Sequence, residues 1–463
     1  MSTTNIEAQV VVRAEPPIPR RAVVGWVLYD LANTIFSMAI ISLYFSLWVR
    51  DRVGGERVDG VYGVTTAISM ALIFIASPTL GALTDQAKRR MPFLIVSTLI
   101  CIVFTALLGQ GGLYVTLALF VVANVAYQAG LQFYDALLPE VSTEENRGWI
   151  GGIGVGVGYL GSYIGVGAGL ILLSVFNLPI EAIFPVVAVL FLLFALPCFF
   201  FVKERGNSRA RPFTLDTLRR ATTQTIETVR NSQRYPGLLR FLIGRIFYTD
   251  SINTVISIMG IYVVNQVVRF GIKAAEAQGQ SGAALEQTRA QLEAQGQTQA
   301  QIILLGAITF AIIGGLAWGK IVDRIGPKRT LDIVLFAWIG IFLLAALIGL
   351  LGLPFWVFYI VAIAAGICLG GVWTADRPYM LRLSPPARIG EFYGLYGMVG
   401  RFSAITGPLV WALVVGTIFA GNPDVGQPIG VLVLMLLIIV SYIILRPVSD
   451  AKRNWSAEDR GEA

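Results

Sequence analysis

Long apolar runs, separated by short polar or charged stretches, occupy most of the chain. A transmembrane helix needs about 20 residues to cross about 30 Å of hydrocarbon, and runs near that length recur throughout the sequence. They predict twelve membrane-spanning helices, at residues 23–48, 58–83, 92–109, 113–138, 148–174, 180–202, 238–268, 300–319, 330–352, 354–383, 389–419 and 428–446. Because twelve is an even number, we expect both termini on one side of the membrane.

The composition of the 463 residues agrees with this pattern. Apolar residues make up 56% and charged residues 14%, whereas a soluble domain carries about 25% charged residues. These values exclude a soluble enzyme, a disordered chain and a secreted disulfide scaffold. The sequence contains no histidine, so it lacks the commonest metal ligand and the usual proton carrier at neutral pH. We therefore expect no enzyme, no cofactor and no metal site, and any proton coupling must use carboxylates.

Basic residues are distributed unevenly between the two sides of the predicted helices. With the termini on the cytoplasmic side, the inner segments hold 26 lysines and arginines, the outer loops hold 6, and three lie within the spans. Cytoplasmic loops carry an excess of Lys and Arg, so the net charge of +7 indicates orientation and no nucleic-acid partner. The expectation is a multi-pass protein of the cell membrane, inner or plasma, with both termini in the cytoplasm.

The loops divide the chain into five parts. These are a cytoplasmic N-tail (1–22), an N-terminal six-helix half (23–202), a basic cytoplasmic linker (203–237), a C-terminal six-helix half (238–446) and a cytoplasmic C-tail (447–463). In the linker, a helical spacing of apolar residues predicts an interfacial helix, from Leu215, Leu218, Ile226 and Val229. The C-terminal half contains a polar outer insertion, 270–299, which either extends helix 7 or forms a separate short helix.

Two motifs are repeated in the same order in the two halves. The pattern D-x-x-N-T-x-x-S occurs at Asp30–Ser37 and again at Asp250–Ser257. The pattern G-x3-D, followed by basic residues, occurs at Gly81–Asp85 and again at Gly319–Asp323. Parallel six-helix halves are the architecture of major facilitator transporters. The predicted fold is therefore an all-α polytopic membrane protein, with twelve transmembrane helices in two pseudo-symmetric six-helix halves.

The G-x3-D loops predict a gate at the cytoplasmic face. A glycine lets two membrane helices approach closely, and the aspartate can cap a neighbouring helix end or pair with a base across the cytoplasmic mouth. From these loops we assign to the gate Gly81, Asp85, Arg89, Gly319, Asp323 and Arg329.

Ionisable residues within the spans are functional candidates, because each costs at least about 2.5 kcal/mol to insert. Polar stripes on helices 1, 4 and 7 predict a path open to water. The residues proposed for substrate binding or ion coupling are Asp30, Asn33, Asn124, Gln128, Asp250, Asn253 and Arg401. Shallower charged residues complete the predicted cytoplasmic gate, namely Asp135, Asp376, Arg377 and Glu391.

A purely structural interpretation of these residues stays open beside the functional one. Asp30 and Asp250 would then bond to helix ends within a network between the halves. Arg401 has two possible counter-ions, the carboxylate of a substrate or that of a neighbouring aspartate.

A glycine-rich stretch in helix 5 also spells G-x-G-x-x-G, at Gly156–Gly161. A dinucleotide site needs a preceding strand and an acidic residue about 20 residues further on, and the sequence provides neither. The spacing of the glycines instead predicts close helix packing, through Gly154, Gly158, Gly161, Gly165 and Gly169.

The sequence resembles the major facilitator superfamily over essentially its whole length. Within that superfamily it is most similar to the vacuolar amino-acid effluxer-like permeases, an autophagy-related family with bacterial relatives. The residues that carry this resemblance are Tyr29–Thr34, similar to the family's Y-D-W-A-N-S, with Phe133–Pro139, Glu145–Arg147, Phe241–Asp250, Glu391–Tyr396 and Gly407–Pro408. Leu31 departs from the usual tryptophan, and Thr374–Pro378 departs from a serine-arginine segment.

The resemblance implies a secondary transporter of small polar metabolites, above all amino acids, working as an exporter by alternating access. The implied partners are a small-molecule substrate, a proton or Na+ as coupling ion, and the lipid bilayer around a monomer. Similarity of Gly81–Arg90 and Leu137–Arg147 to cation-coupled glycoside symporters gives the alternative, a sugar symporter. A non-transporting receptor or scaffold is a more remote alternative.

Overall fold

The computed structural model describes residues 18–54, 57–205, 214–230, 234–451 and 453–460. Among these residues, eleven helices are long and apolar enough to cross a membrane. A further apolar helix, Met91–Ala106, has 16 residues and is about 24 Å long at 1.5 Å per residue. The predicted all-helical class and the predicted order of the helices are therefore confirmed.

The N-terminal half contains the first six of these helices. They are α1 (Arg20–Val53), α2 (Val58–Gln86), α3 (Met91–Ala106), α4 (Leu113–Asp135), α5 (Arg147–Ser174) and α6 (Ile183–Phe201). Within α1, a π-helical segment, Ser37–Tyr44, begins at the last residue of the D-x-x-N-T-x-x-S motif. A buried apolar cluster formed by residues of this half is its core.

The C-terminal half repeats the arrangement. Its helices are α7 (Leu238–Ala277), α8 (Ala283–Ile325), α9 (Pro327–Leu351), α10 (Val357–Leu383), α11 (Ile389–Trp411, continued by a π-helical segment to Ile418) and α12 (Pro423–Leu445). A second apolar cluster forms the core of this half. The membrane face at which α1 begins and α12 ends is called here the terminal face.

The halves meet along two seams, α2 against α11 and α5 against α8. Glycines make the second seam close, because a Cβ on Gly152 would lie 2.8 Å from the Cα of Gly319. The glycines predicted to pack face a different helix, α1. For example, a Cβ on Gly165 would lie 2.8 Å from the carbonyl oxygen of Ile35. Helix α5 therefore has two glycine faces, of which the sequence analysis recognised one.

The outer insertion extends both neighbouring helices. Helix α7 continues to Ala277 and α8 begins at Ala283, so the two helices form an antiparallel hairpin beyond the membrane. They pack closely there, since a Cβ on Gly271 would lie 2.5 Å from Cδ1 of Leu292. Helix α8 begins before the predicted span at 300–319, because a helix outside the membrane need not be apolar.

A helix does form in the linker, at Leu215–Arg230, and we call it the linker helix. Ala221 is buried against Ala82 and Leu83 of α2, whereas the side chain of Ile226 is 62% exposed. The side chains of Leu215, Leu218 and Val229 lie outside the described part of the chain, as do residues 206–213 and 231–233 of the linker and residues 1–17 of the N-tail.

Candidate functional site

A cavity of about 420 Å³ lies between the two halves. Both copies of the repeated motif contribute to its walls, as do α2, α4, α5, α10 and α11. Among the residues proposed for binding, the structure places five in the lining, Asp30, Asn33, Gln128, Asn253 and Arg401. Asn124 and Asp250 lie outside this lining.

Arg401 lies on α11 about 18 Å from its first residue, at 1.5 Å per residue, and is 5% exposed. Its Nη1 donates to the hydroxyl of Ser77 at 2.5 Å, and its Nη2 donates to the carbonyl oxygen of Gln128 at 2.7 Å. Within the described chain, no carboxylate lies within 4.0 Å of its guanidinium, and Nε has no partner. A buried charge is costly unless it is paired, so this cation can accept an anion from a solute.

Arg377 of α10 crosses between the halves on the terminal side of the cavity. Its Nη1 lies 3.3 Å from Oδ2 of Asp30 on α1, and its Nε lies 3.1 Å from Oδ1 of Asp135 on α4. All three side chains are nearly buried. Two carboxylates therefore share one guanidinium, and this end of the cavity carries one excess negative charge when both are ionised.

A second buried ion pair stays within the C-terminal half. Arg245 Nε lies 3.1 Å from Oδ2 of Asp376. The Asp376 carboxylate also accepts two hydrogen bonds, from the hydroxyl of Tyr248 at Oδ1 (2.6 Å) and from that of Tyr396 at Oδ2 (2.9 Å). The guanidinium also lies 3.6 Å from the centre of the Tyr396 ring. Because every partner is on α7, α10 or α11, this network stabilises the packing of one half, and the structure does not place Asp376 across the predicted gate.

The amide and carboxylate residues of the repeated motif differ in their surroundings. Asp250 accepts a hydrogen bond from the hydroxyl of Thr406 at 2.8 Å, so its carboxylate faces α11. The corresponding Asp30 faces the cavity and Arg377. The amide group of Asn33 is buried with no hydrogen-bond partner, and so is that of Asn124. Only the first of these amides lines the cavity, where a solute can satisfy it.

The two motif aspartates hold the halves together at the terminal face. Asp85 of α2 accepts hydrogen bonds from the backbone N–H groups of Gly390 and Glu391, at 2.8 and 2.7 Å. Asp323 of α8 accepts from the N–H groups of Gly148 and Trp149, at 2.6 and 2.8 Å. Each carboxylate thus caps the first turn of a helix in the opposite half, where the helix dipole favours negative charge.

The basic residues beside these caps are not the ones that the motifs suggested. Arg89 and Arg329 are exposed, whereas Arg90 donates to Asp85 at 2.8 Å. In the second copy, Lys328 pairs with Asp332. The motif glycines do lie at close approaches, since a Cβ on Gly319 would be 2.9 Å from the carbonyl oxygen of Gly148 and one on Gly81 would overlap the carbonyl oxygen of Gly390.

Glu391 has a partner that the sequence analysis missed, the linker helix. Its carboxylate accepts a hydrogen bond from Gln224, whose side chain also lies 3.4 Å from that of Gln86 on α2. The linker helix therefore contacts both sides of the α2–α11 seam at the terminal face. No sequence signal connected it to the gate, because the contact joins residues that are 167 positions apart.

Bonds between the halves concentrate on the terminal side of the cavity. Towards the opposite face, the hydroxyl of Tyr163 on α5 bonds to the carbonyl of Leu305 (3.1 Å) and the hydroxyl of Thr309 (2.7 Å) on α8. On α7, Asn253 lines the cavity and Ser257, one turn further outward, is exposed. The arrangement is that of a central polar cavity closed at the terminal face.

Comparisons with known proteins agree with this architecture. Residues 53–275 match the family model described as "Vacuole effluxer Atg22 like", and residues 288–462 match that of the Major Facilitator Superfamily. The chain has the major facilitator fold. It resembles the major facilitator superfamily and, within it, the Atg22-like family.

Two curated relatives match the chain over different lengths. It is 24% identical over 406 residues to the uncharacterized MFS-type transporter YxiO of Bacillus subtilis, covering 84% of this chain and 87% of the relative. It is 28% identical over 170 residues to Autophagy-related protein 22 of Coccidioides immitis, covering 34% of this chain and 27% of that protein.

Two solved structures share the fold. One is the transporter FucP in its outward conformation, with a TM-score of 0.65 and 13% identity over 92% of this chain and 97% of FucP. The other is a bacterial homologue of the iron transporter ferroportin in its outward-facing state, with a TM-score of 0.66 and 14% identity over 92% of this chain and 98% of the homologue.

Proposed function

We propose that this transporter exports small zwitterionic metabolites, in the first place amino acids, by alternating access. The observation that carries the proposal is the presence of both charges in the lining of one cavity. Within the described chain, Arg401 has no carboxylate at ion-pair distance, and Asp30 and Asp135 share a single cation, Arg377. A zwitterion complements both groups, with its carboxylate at Arg401 and its ammonium towards Asp30.

The side chains that line the cavity support the same class of solute. Aromatic and thioether side chains also line the cavity, with Tyr127, Tyr159, Trp373 and Met70 among them. Ligand sites commonly combine such apolar walls with a few polar groups that fix orientation. The buried and unpartnered amide of Asn33 gives one further donor and acceptor for the polar end of the solute.

Orientation and direction follow from the charge distribution and from the resemblance. The excess of basic residues supports a cytoplasmic position of the terminal face. Export then requires a second state in which the α2–α11 and α5–α8 seams open at that face and admit the solute. The resemblance to a family named for vacuolar efflux favours this direction of transport.

The ion pairs of Arg377 also support coupling to a proton or Na+. When the terminal face opens, Arg377 moves with the C-terminal half while Asp30 and Asp135 stay with the other half. Two buried carboxylates without their cation are costly. Binding of a proton or Na+ in that state would compensate them, so the same residues that close the gate would bind the coupling ion.

Transport by purified protein in liposomes tests the proposal. Liposomes preloaded with unlabelled L-alanine or L-methionine should accumulate the labelled compound by exchange, whereas propionate, ethylamine and L-fucose should not exchange. Arg401→Gln and Asp30→Asn should each abolish exchange, and Asp332→Asn, which alters an ion pair within one half, should not. Exchange of L-fucose alone would replace the amino-acid proposal by the sugar alternative, and no exchange of any solute would refute it.

A further inference from the structure

The guanidinium of Arg401 is bound entirely by the half to which it does not belong. Arg401 lies on α11 of the C-terminal half. Its two hydrogen bonds go to the hydroxyl of Ser77 on α2 and to the carbonyl oxygen of Gln128 on α4. Both acceptors are neutral, so they bond to Nη1 and Nη2, leave Nε without a partner and bring no negative charge to the cation.

Ser77 is held in this position by Gln132, a member of the polar stripe on helix 4. Its hydroxyl bonds to the amide oxygen of Gln132 on α4, and the amide nitrogen of Gln132 donates to the backbone carbonyl of Ser77 at 2.9 Å. Both residues are buried. The Ser77 hydroxyl also lies 3.0 Å from the carbonyl oxygen of Gly394 on α11, so its position depends on the closed α2–α11 seam.

Glycines on α11 allow the arginine to reach this acceptor. Side chains on a helix point back towards its N-terminus, so the guanidinium of Arg401 lies over Gly397, one turn earlier. A Cβ on Gly397 would lie 2.9 Å from Nη1 of Arg401. A Cβ on Gly394 would lie 2.7 Å from the carbonyl oxygen of Ser77. The contact therefore requires both a bare helix surface and a close seam.

We propose that Ser77 and the Gln128 carbonyl are surrogate ligands, which replace the carboxylate of the solute on Arg401 when the terminal face closes. The inference rests on the proposed function, since it concerns the same site. When the seam opens at the terminal face, α11 moves away from α2 and α4, and Arg401 loses both acceptors. A carboxylate entering from that face then takes their place.

The consequence is a difference in affinity between the two states. With the terminal face open, neither of these protein oxygens competes with the carboxylate for the guanidinium. With that face closed, it competes with two protein oxygens that are already in position, and the solute is released to the opposite face. A ligand shifts a conformational equilibrium only through its differential affinity for the two states, and this substitution provides such a difference in the direction of export.

Binding of matched probes to the full-length protein in detergent tests the proposal. The probes are L-alanine and L-methionine, each compared with its α-carboxamide, which keeps the ammonium and lacks the carboxylate. Ser77→Ala removes one surrogate, and it should tighten binding of the two acids by roughly tenfold, the effect of one hydrogen bond to a charged group. Binding of the two amides should be unchanged, and turnover in the exchange assay should fall.

Ser69→Ala is the matched control. Ser69 is buried on the same helix, and its hydroxyl bonds within α2, to the carbonyl oxygen of Thr65 at 3.0 Å, so neither probe should respond. Ser77→Cys keeps most of the volume with a weaker acceptor and should act in the same direction as Ser77→Ala if the latter fails to fold.

The outcomes separate the two proposals. Weaker or unchanged binding of the acids in the Ser77 variants, or equal tightening for acids and amides, would overturn the surrogate-ligand inference alone. If the unaltered protein binds and exchanges no amino acid, the substrate assignment fails first and the inference falls with it.

Discussion

Replacing Asp323 by asparagine should open the terminal face. Asp323 accepts two backbone N–H groups at the start of α5, at 2.6 and 2.8 Å. Asparagine keeps one acceptor oxygen and loses the charge. A hydrogen bond to a charged group contributes about 1.5–3 kcal/mol, and a negative charge at a helix N-terminus contributes about 0.3–1 kcal/mol. The closed state should therefore lose about 2–4 kcal/mol, or roughly 30- to 700-fold in population at 1.4 kcal/mol per tenfold.

The distance between spin labels across the terminal face measures this shift. Lys88 in the N-terminal half and Arg324 in the C-terminal half are both exposed and can carry labels on introduced cysteines, because Cys101, Cys198 and Cys368 are buried. Asp323→Asn should move part of the distance distribution to longer values. Asp332→Asn, whose ion pair lies within one half, should leave it unchanged.

The second cap makes the prediction sharper. Asp85 holds α11 by the same geometry, so the double variant Asp85→Asn/Asp323→Asn should lose about twice as much stability of the closed state. If the label distance of the double variant stays at that of the unaltered protein, the two carboxylates do not hold the gate and the reasoning is wrong.

Three further predictions follow from other contacts. Arg377→Gln leaves two buried carboxylates without a cation and should destabilise the fold by about 3–5 kcal/mol, seen as a lower midpoint of thermal unfolding. Gly152→Val overpacks the α5–α8 seam and should cost about 1–3 kcal/mol in the same measurement, whereas Gly167→Val, with open space around its Cβ, should cost little. Gln224→Ala removes one linker contact of Glu391 and should raise the fraction open at the terminal face, measured with the same labels; an unchanged fraction would exclude a role of Gln224 in gating.

The fold could be predicted from the sequence because the membrane imposes it. Apolar runs of fixed length and an excess of basic residues on one side are direct consequences of the bilayer as a solvent. Repetition of G-x3-D then indicated that Asp85 and Asp323 have equivalent positions. The hydrophobic pattern failed where that constraint ends, at the polar hairpin where α7 and α8 leave the membrane.

The site was predicted only in part, because a position along a helix gives depth and leaves the partner open. Asp30 and Asp250 occupy equivalent positions in the repeat, yet Asp30 meets Arg377 and Asp250 meets Thr406. Arg89 and Arg90 were equally good candidates, and the orientation of the helix end selected the second. Gln132 belongs to the polar stripe of helix 4, whereas Ser77 carries no charge and belongs to no motif, so only tertiary packing identifies Ser77 as a neighbour of Arg401.

Helix α8 connects distant parts of the molecule as one rod. It runs without interruption from Ala283 in the outer hairpin to Ile325 beyond the Asp323 cap, about 65 Å at 1.5 Å per residue. A tilt of about 5° about the middle of such a rod displaces each end by about 3 Å, on the scale of a hydrogen-bond length. A tilt of α8 therefore moves the hairpin outside the membrane and the cap at the terminal face together. An antibody fragment that fixes the hairpin would also restrain the gate.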